Sequence, residues 1–105
     1  MRNDLPELQE AVERIHSCHA VLRSVATAIE IFEGKTVWEG SVHVFDIRDH
    51  PEANTCYSWS SPVKGSTKRR YYAILKLPPI ESPGDAVKAS IVRAIEEGEI
   101  PIGSG

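Results

Sequence analysis

Hydrophobic positions recur at helical spacing near both ends of the chain and alternate with polar ones through its middle. Leu5, Leu8, Val12 and Ile15 form one apolar stripe, with Asp4 placed to cap, Pro6 in the first turn and Glu7 at a capping-box-like spacing. Glu7, Glu10, Glu13 and Arg14 occupy the solvated face, and this helix is expected to end between His16 and His19. A second helix is predicted from Ser82 as N-cap, Pro83 at the first helical position and Asp85 in the first turn, with Gly98 as its stop. Val87, Ile91, Ala94 and Ile95 are its core-facing positions. Glu96 and Glu97 lie where the helix dipole disfavours negative charge, which predicts a frayed end or a basic partner there.

Between the helices the period changes to two. Val25, Thr27, Ile29 and Ile31 share one face of a first strand and Ser24, Ala26, Ala28 and Glu30 the other, before Gly34 turns the chain. A second strand, from about Thr36 to Ile47, has Trp38, Val42 and Val44 on one face and Glu39, Ser41 and His43 opposite. Phe45 and Ile47 are then apolar on the face that had been polar, which predicts a bulge or bend near Gly40 or Val44. A third strand carries Tyr57 and Trp59 on one face and Cys56 and Ser58 on the other. In a fourth, Tyr71, Ala73, Leu75 and Leu77 alternate with Arg70, Tyr72, Ile74 and Lys76. Short connections favour antiparallel pairing. The expectation is an α+β fold of order α-β-β-β-β-α, a four-stranded antiparallel meander flanked by N- and C-terminal helices that both pack on one face. Strands with apolar residues on both faces then need a second cover: a ligand, a curl of the sheet, or a partner subunit. An isologous homodimer through the sheet is the expected closed solution.

At 105 residues, 41% hydrophobic and 26% charged, the chain reads as a single globular domain over residues 1–105 without a stretch long enough to span a membrane. The polar, acidic start from Met1 to Glu10 lacks the features of a secretory signal, so a cytoplasmic location is expected, with Cys18 and Cys56 as reduced thiols. A net charge of −3 gives no long-range attraction to nucleic acid or anionic lipid.

Four constellations bear on chemistry. His16-Ser17-Cys18-His19 is the densest set of metal-ligand types, with His16 and His19 on one helix face if the helix continues, but it lacks the paired spacing of a structural zinc site. Lys64, Lys68, Arg69 and Arg70 run into Tyr71 and Tyr72, a mix of charge and rings suited to nucleic acid. The helix and strand order resembles the double-stranded-RNA-binding domain in topology, yet Ser82-Pro83-Gly84-Asp85 is acidic where that domain presents basic residues to phosphates. Glu39, Ser41 and His43 line one strand face, but alternate residues stand about 6.6 Å apart, outside the contact a catalytic triad needs. The aromatic residues Trp38, Tyr57, Trp59 and Tyr72 are candidates for core or pocket.

Glu33-Gly34-Lys35-Thr36-Val37-Trp38-Glu39-Gly40, Cys56-Tyr57-Ser58-Trp59-Ser60 and Leu77-Pro78-Pro79-Ile80-Glu81-Ser82-Pro83 together resemble small uncharacterised proteins encoded in integron gene cassettes. That resemblance implies a compact, soluble bacterial protein, often an oligomer, and no catalytic residues. The resulting expectation is a non-enzymatic binding or interaction module that self-associates as a homodimer, with Trp38, His43, Tyr57 and Trp59 at its ligand site or interface. No metal or cofactor is expected. Two alternatives remain: nucleic-acid binding through Lys64 to Tyr72, and a small metal-dependent enzyme using His16, Cys18 and His19.

Overall fold

The computed structural model describes residues 5–63 and 65–96; Asp4, Glu97 and Gly98, with their expected roles, lie outside them. The element order is α1 (Leu5–His16), β1 (His19–Phe32), β2 (Lys35–Arg48), β3 (Thr55–Pro62), β4 (Arg69–Leu75) and α2 (Pro83–Glu96). The strands form one antiparallel sheet in the order β1-β2-β3-β4, the α+β meander that the alternation predicts.

Local chemistry sets the boundaries. At the start of α2 the Asp85 amide donates to Ser82 Oγ and the Glu81 amide donates to Asp85 Oδ2, both at 3.1 Å, so cap and first turn satisfy each other's donors. At the end of α1, Ser17 takes a left-handed backbone (φ 51°) and the Cys18 amide donates back to the Glu13 carbonyl at 3.3 Å. This six-to-one closure stops the helix at His16 and turns the chain into β1. Glu33 and Gly34, both with positive φ, form the two-residue turn of the β1–β2 hairpin, whose twist suits antiparallel strands.

The helices do not share a face, contrary to the expectation from the sequence. Leu8 and Val12 of α1 pack with Ala20, Phe45, Ile47, Cys56 and Ala73. Ala86, Val87 and Ile91 of α2 pack with Ala28, Val42, Val44, Tyr57 and Trp59. Neighbours along a strand, Val44 and Phe45 or Cys56 and Tyr57, fall into different clusters, so the sheet is sandwiched between the helices. The aromatic face of β3 is therefore covered within the chain, by α2.

A bulge does lie beside Val44, but its extra residue is Arg23 of β1, across from Val44 and Phe45, so it leaves the faces of β2 unchanged; the change of polarity along β2 comes from the offset of the two covers. The pairing of β2 with β1 runs in register from Thr36 to Arg48 with irregularities only at Arg23 of β1 and Val37 of β2. Glu39, Ser41, His43, Phe45 and Ile47 all lie on the α1 face; the polarity changes at Phe45 because α1 reaches only that far. On β1 the large residues Val25, Ile29 and Ile31 are 52, 51 and 63% exposed, while Ala28 is buried. On β1 it is Ala28 that packs with α2, while the large β1 residues lie on the opposite face. Ile15, taken for the apolar stripe of α1, is also exposed, and Ala11 is buried in its turn.

The sheet is forked. β1 and β2 pair along their length to Phe32↔Lys35, and β3 and β4 pair from Cys56↔Leu75 to Pro62↔Arg69. Between these ribbons, β2 and β3 share only the four pairs from His43↔Ser58 to Asp46↔Thr55. Beyond His43 and Ser58 the two ribbons diverge.

Candidate functional site

The gap of the fork holds a cavity of about 650 Å³. One wall lies on the α2 side of the sheet. Trp38 reaches from β2 across the gap, its Nε1 donating to Ser61 Oγ of β3 at 3.3 Å. Its ring meets Trp59 edge-on at a centroid distance of 6.1 Å, and Trp59 stacks on Tyr72 at 5.1 Å and 11°. Gly40 makes this placement possible: a Cβ there would come within 3.0 Å of Trp38 Cη2 and Cζ2. Ser90, Ile91 and Ala94 of α2 close the bottom.

The other side, on the α1 face, is polar. Ser41 and His43 of β2 and Ser60 of β3 line it together with Arg69 of β4. Arg69 Nε donates to Ser60 Oγ at 2.8 Å and Nη2 to the Ser60 carbonyl at 3.2 Å, so a half-buried guanidinium is held in one orientation. His43 stacks against Phe45 at 6.3 Å and 20°. The main chain of both flanking strands borders the gap where the β2–β3 ladder has ended.

Of the residues singled out in the sequence, Trp38, His43 and Trp59 line this cavity. Tyr57 does not; it is buried in the core under α2, where burial raises its phenol pKa above the usual range. Arg69 and Gly40 were missed as site residues. The available signal was Gly40 two positions after Trp38, on the same strand face, where a missing Cβ admits a large ring.

The metal-ligand types near residue 16 point apart. His16 Nε2 is 2.8 Å from the Ala73 carbonyl, Cys18 is buried with its thiol directed at the Val12 carbonyl, and exposed His19 pairs with Asp49 Oδ2 at 3.0 Å. His16 and His19 share no helix face, because α1 has ended between them. Among the described residues no group of three His, Cys, Asp or Glu could hold a metal ion. Burial pushes the Cys56 thiol up to about 12 and also raises Cys18, which suits packing rather than nucleophilic chemistry.

The basic run is likewise divided. Lys64 lies outside the described residues, and Arg69 turns to Ser60. Tyr71 packs toward the α1 cluster and Tyr72 toward the α2 cluster, so the two rings lie on opposite faces and present no common platform for bases.

A second surface is built by β1, which is an outer strand of the sheet. The Ala20 amide donates to Glu13 Oε2 at 2.9 Å and its carbonyl accepts from Gln9 Nε2 at 2.7 Å, so the main chain of Ala20 points away from β2. Alternation, shifted once by the irregularity at Arg23, directs the main chain of Val25, Thr27, Ile29 and Ile31 outward as well. Three of these four, Val25, Ile29 and Ile31, are exposed aliphatic residues, as is Val21 nearer the start of the strand. No helix of the described residues is long and apolar enough to cross a membrane.

Comparison with protein-family models, curated proteins and solved structures gives no significant match, so function is argued from this geometry alone.

Proposed function

We propose that the chain is a small, non-enzymatic interaction module that pairs with a second copy through strand β1; the integron-cassette proteins its sequence resembles are often oligomers. The observation that carries this reading is the outer edge of β1. Four successive outward main-chain positions carry β-branched side chains, with no Pro, Gly or Lys from His19 to Phe32 to blunt the edge. Antiparallel pairing with a two-fold axis through Ala28 engages all four, setting Val25 against Ile31 and Thr27 against Ile29 of the second copy. The hydrogen-bonding pattern of this register is self-complementary, and Arg23 at its end keeps its own partner, Asp46 of β2. This replaces pairing through the aromatic sheet face, which α2 occupies. Cytoplasmic residence belongs to the same proposal, since two buried free thiols suit a reducing compartment.

Light scattering coupled to size exclusion tests the pairing. The expected mass is twice the 11.6 kDa of the chain. Thr27→Pro removes an outward N–H and spares the β1–β2 ladder, and Ile29→Lys places charge on the edge. Each is expected to give a folded monomer by circular dichroism, while Val92→Lys, on exposed α2 surface, leaves the dimer intact. A wild-type monomer at high micromolar concentration overturns the reading, as does a dimer indifferent to Ile29→Lys.

A further inference from the structure

The fork is a gap in the ladder with one aromatic wall and one polar one. Two properties make it more than a packing defect. Its volume, about 650 Å³, lies within the range of small-ligand sites, and it opens to the surface, so a ligand can reach it. Its rings and its cation also lie on different walls, with Trp38, Trp59 and α2 side chains on one and Ser41, His43, Ser60 and Arg69 on the other, where Leu8 of α1 and Val25 of β1 border them.

We propose that the fork binds a flat aromatic carboxylate. The ring would continue the series Trp38, Trp59 and Tyr72, whose members already sit at edge and stacking distances from one another. The carboxylate would lie at Arg69, whose two bonds to Ser60 fix the guanidinium plane before any ligand arrives, leaving Nη1 as a further donor direction. One carboxylate, Glu39, also lines the cavity. It is exposed and therefore screened, whereas Arg69 is half-buried, so the field at the polar wall is set by the cation. The hydroxyl of Ser41 can serve the second carboxylate oxygen.

Three probes of one shape separate the site from its charge preference: 1-naphthoate, 1-naphthalenemethanol and 1-naphthylmethylamine, titrated against the whole chain with calorimetry and tryptophan fluorescence. Naphthoate is expected to bind about tenfold more tightly than the alcohol, and the amine more weakly than either. Arg69→Gln is expected to remove about that tenfold for naphthoate and to leave the alcohol unchanged, with Arg69→Lys intermediate because it keeps charge without the fork geometry. Gly40→Val, which drives Trp38 from the wall, weakens all three. Equal affinity for the three probes overturns the carboxylate preference, and the absence of binding at millimolar concentration overturns the site itself. If Arg69→Gln loses its fold, the ranking of the three probes on the unaltered protein still decides.

Discussion

Replacing Gly40 by Ala should change stability in opposite directions depending on what occupies position 38. With Trp38 present, the added methyl meets the ring at 3.0 Å at two carbons, well inside ordinary van der Waals contact. The indole must lift by several tenths of an ångström. Its bond to Ser61 Oγ is already 3.3 Å long and has little slack. Overpacking of this kind costs about 1–3 kcal/mol, and loosening one partly buried hydrogen bond adds about 0.5–1 kcal/mol. Against that, Ala in a strand interior is favoured over Gly by about 0.5–1 kcal/mol because it restricts the unfolded chain. The net expectation is a loss of about 1–3 kcal/mol. In a Trp38→Leu background the clash and the bond are both gone, and only the backbone gain remains, so Gly40→Ala should then stabilise by about 0.5–1 kcal/mol. Urea unfolding of the four proteins, followed by far-UV circular dichroism because a fluorophore is being removed, gives the coupling directly. An effect of Gly40→Ala that agrees within about 0.5 kcal/mol in the two backgrounds would show that the indole does not lie over Gly40, and the account of the cavity wall would fall with it.

Two further perturbations probe other parts of the fold. Cys56 titrates near 9.0 when exposed and is pushed to about 12 by burial, so the native state holds a proton that the unfolded chain releases. Its contribution to stability is complete below pH 9 and is lost as pH rises toward 12, by at most about 1.4 kcal/mol per pH unit; Cys56→Ala should flatten that part of the pH–stability curve, and an unchanged alkaline slope would contradict the assignment. Ser17→Gly relieves a left-handed backbone at the end of α1 and should raise stability by about 1 kcal/mol in thermal or urea unfolding, whereas a loss would mean the helix closure has been misjudged.

The sequence carried enough to place the elements and too little to assemble their faces. Caps and stripes located both helices because those signals are local: Ser82, Pro83 and Asp85 act within one turn of each other. The alternation located the strands for the same reason. What alternation cannot state is which face a helix will cover, and here each face is covered over part of its length. Phe45 and Ile47 follow polar His43 on one unbroken face, so a change of cover looks in sequence like a change of phase. Val25, Ile29 and Ile31 read as a core face by size, yet they are exposed, and it is Ala28 on the other face that is buried with α2. The candidate site was legible in part. Trp38, His43 and Trp59 stand out by residue type, but the cavity they share comes from the early end of the β2–β3 ladder, and ladder length is a long-range property. Arg69 was read with its basic neighbours and gains its separate identity only through Ser60.

The four-pair waist between β2 and β3 separates the residues that hold the molecule together from those that shape its opening. At the waist, Val44 and Phe45 face Cys56 and Tyr57, each strand sending one side chain into each core, so substitutions there are felt on both sides of the sheet at once. Beyond it, the arms share no ladder, and a change at Glu39, Ser41, Ser60 or Ser61 alters the width or lining of the fork with little cost to the packed layers. Such an architecture tolerates drift where a ligand would be read and resists it where folding is decided. One scaffold of this size could therefore accept different small molecules by sequence change at a few positions on the arms, while the waist and its two helices stay as they are.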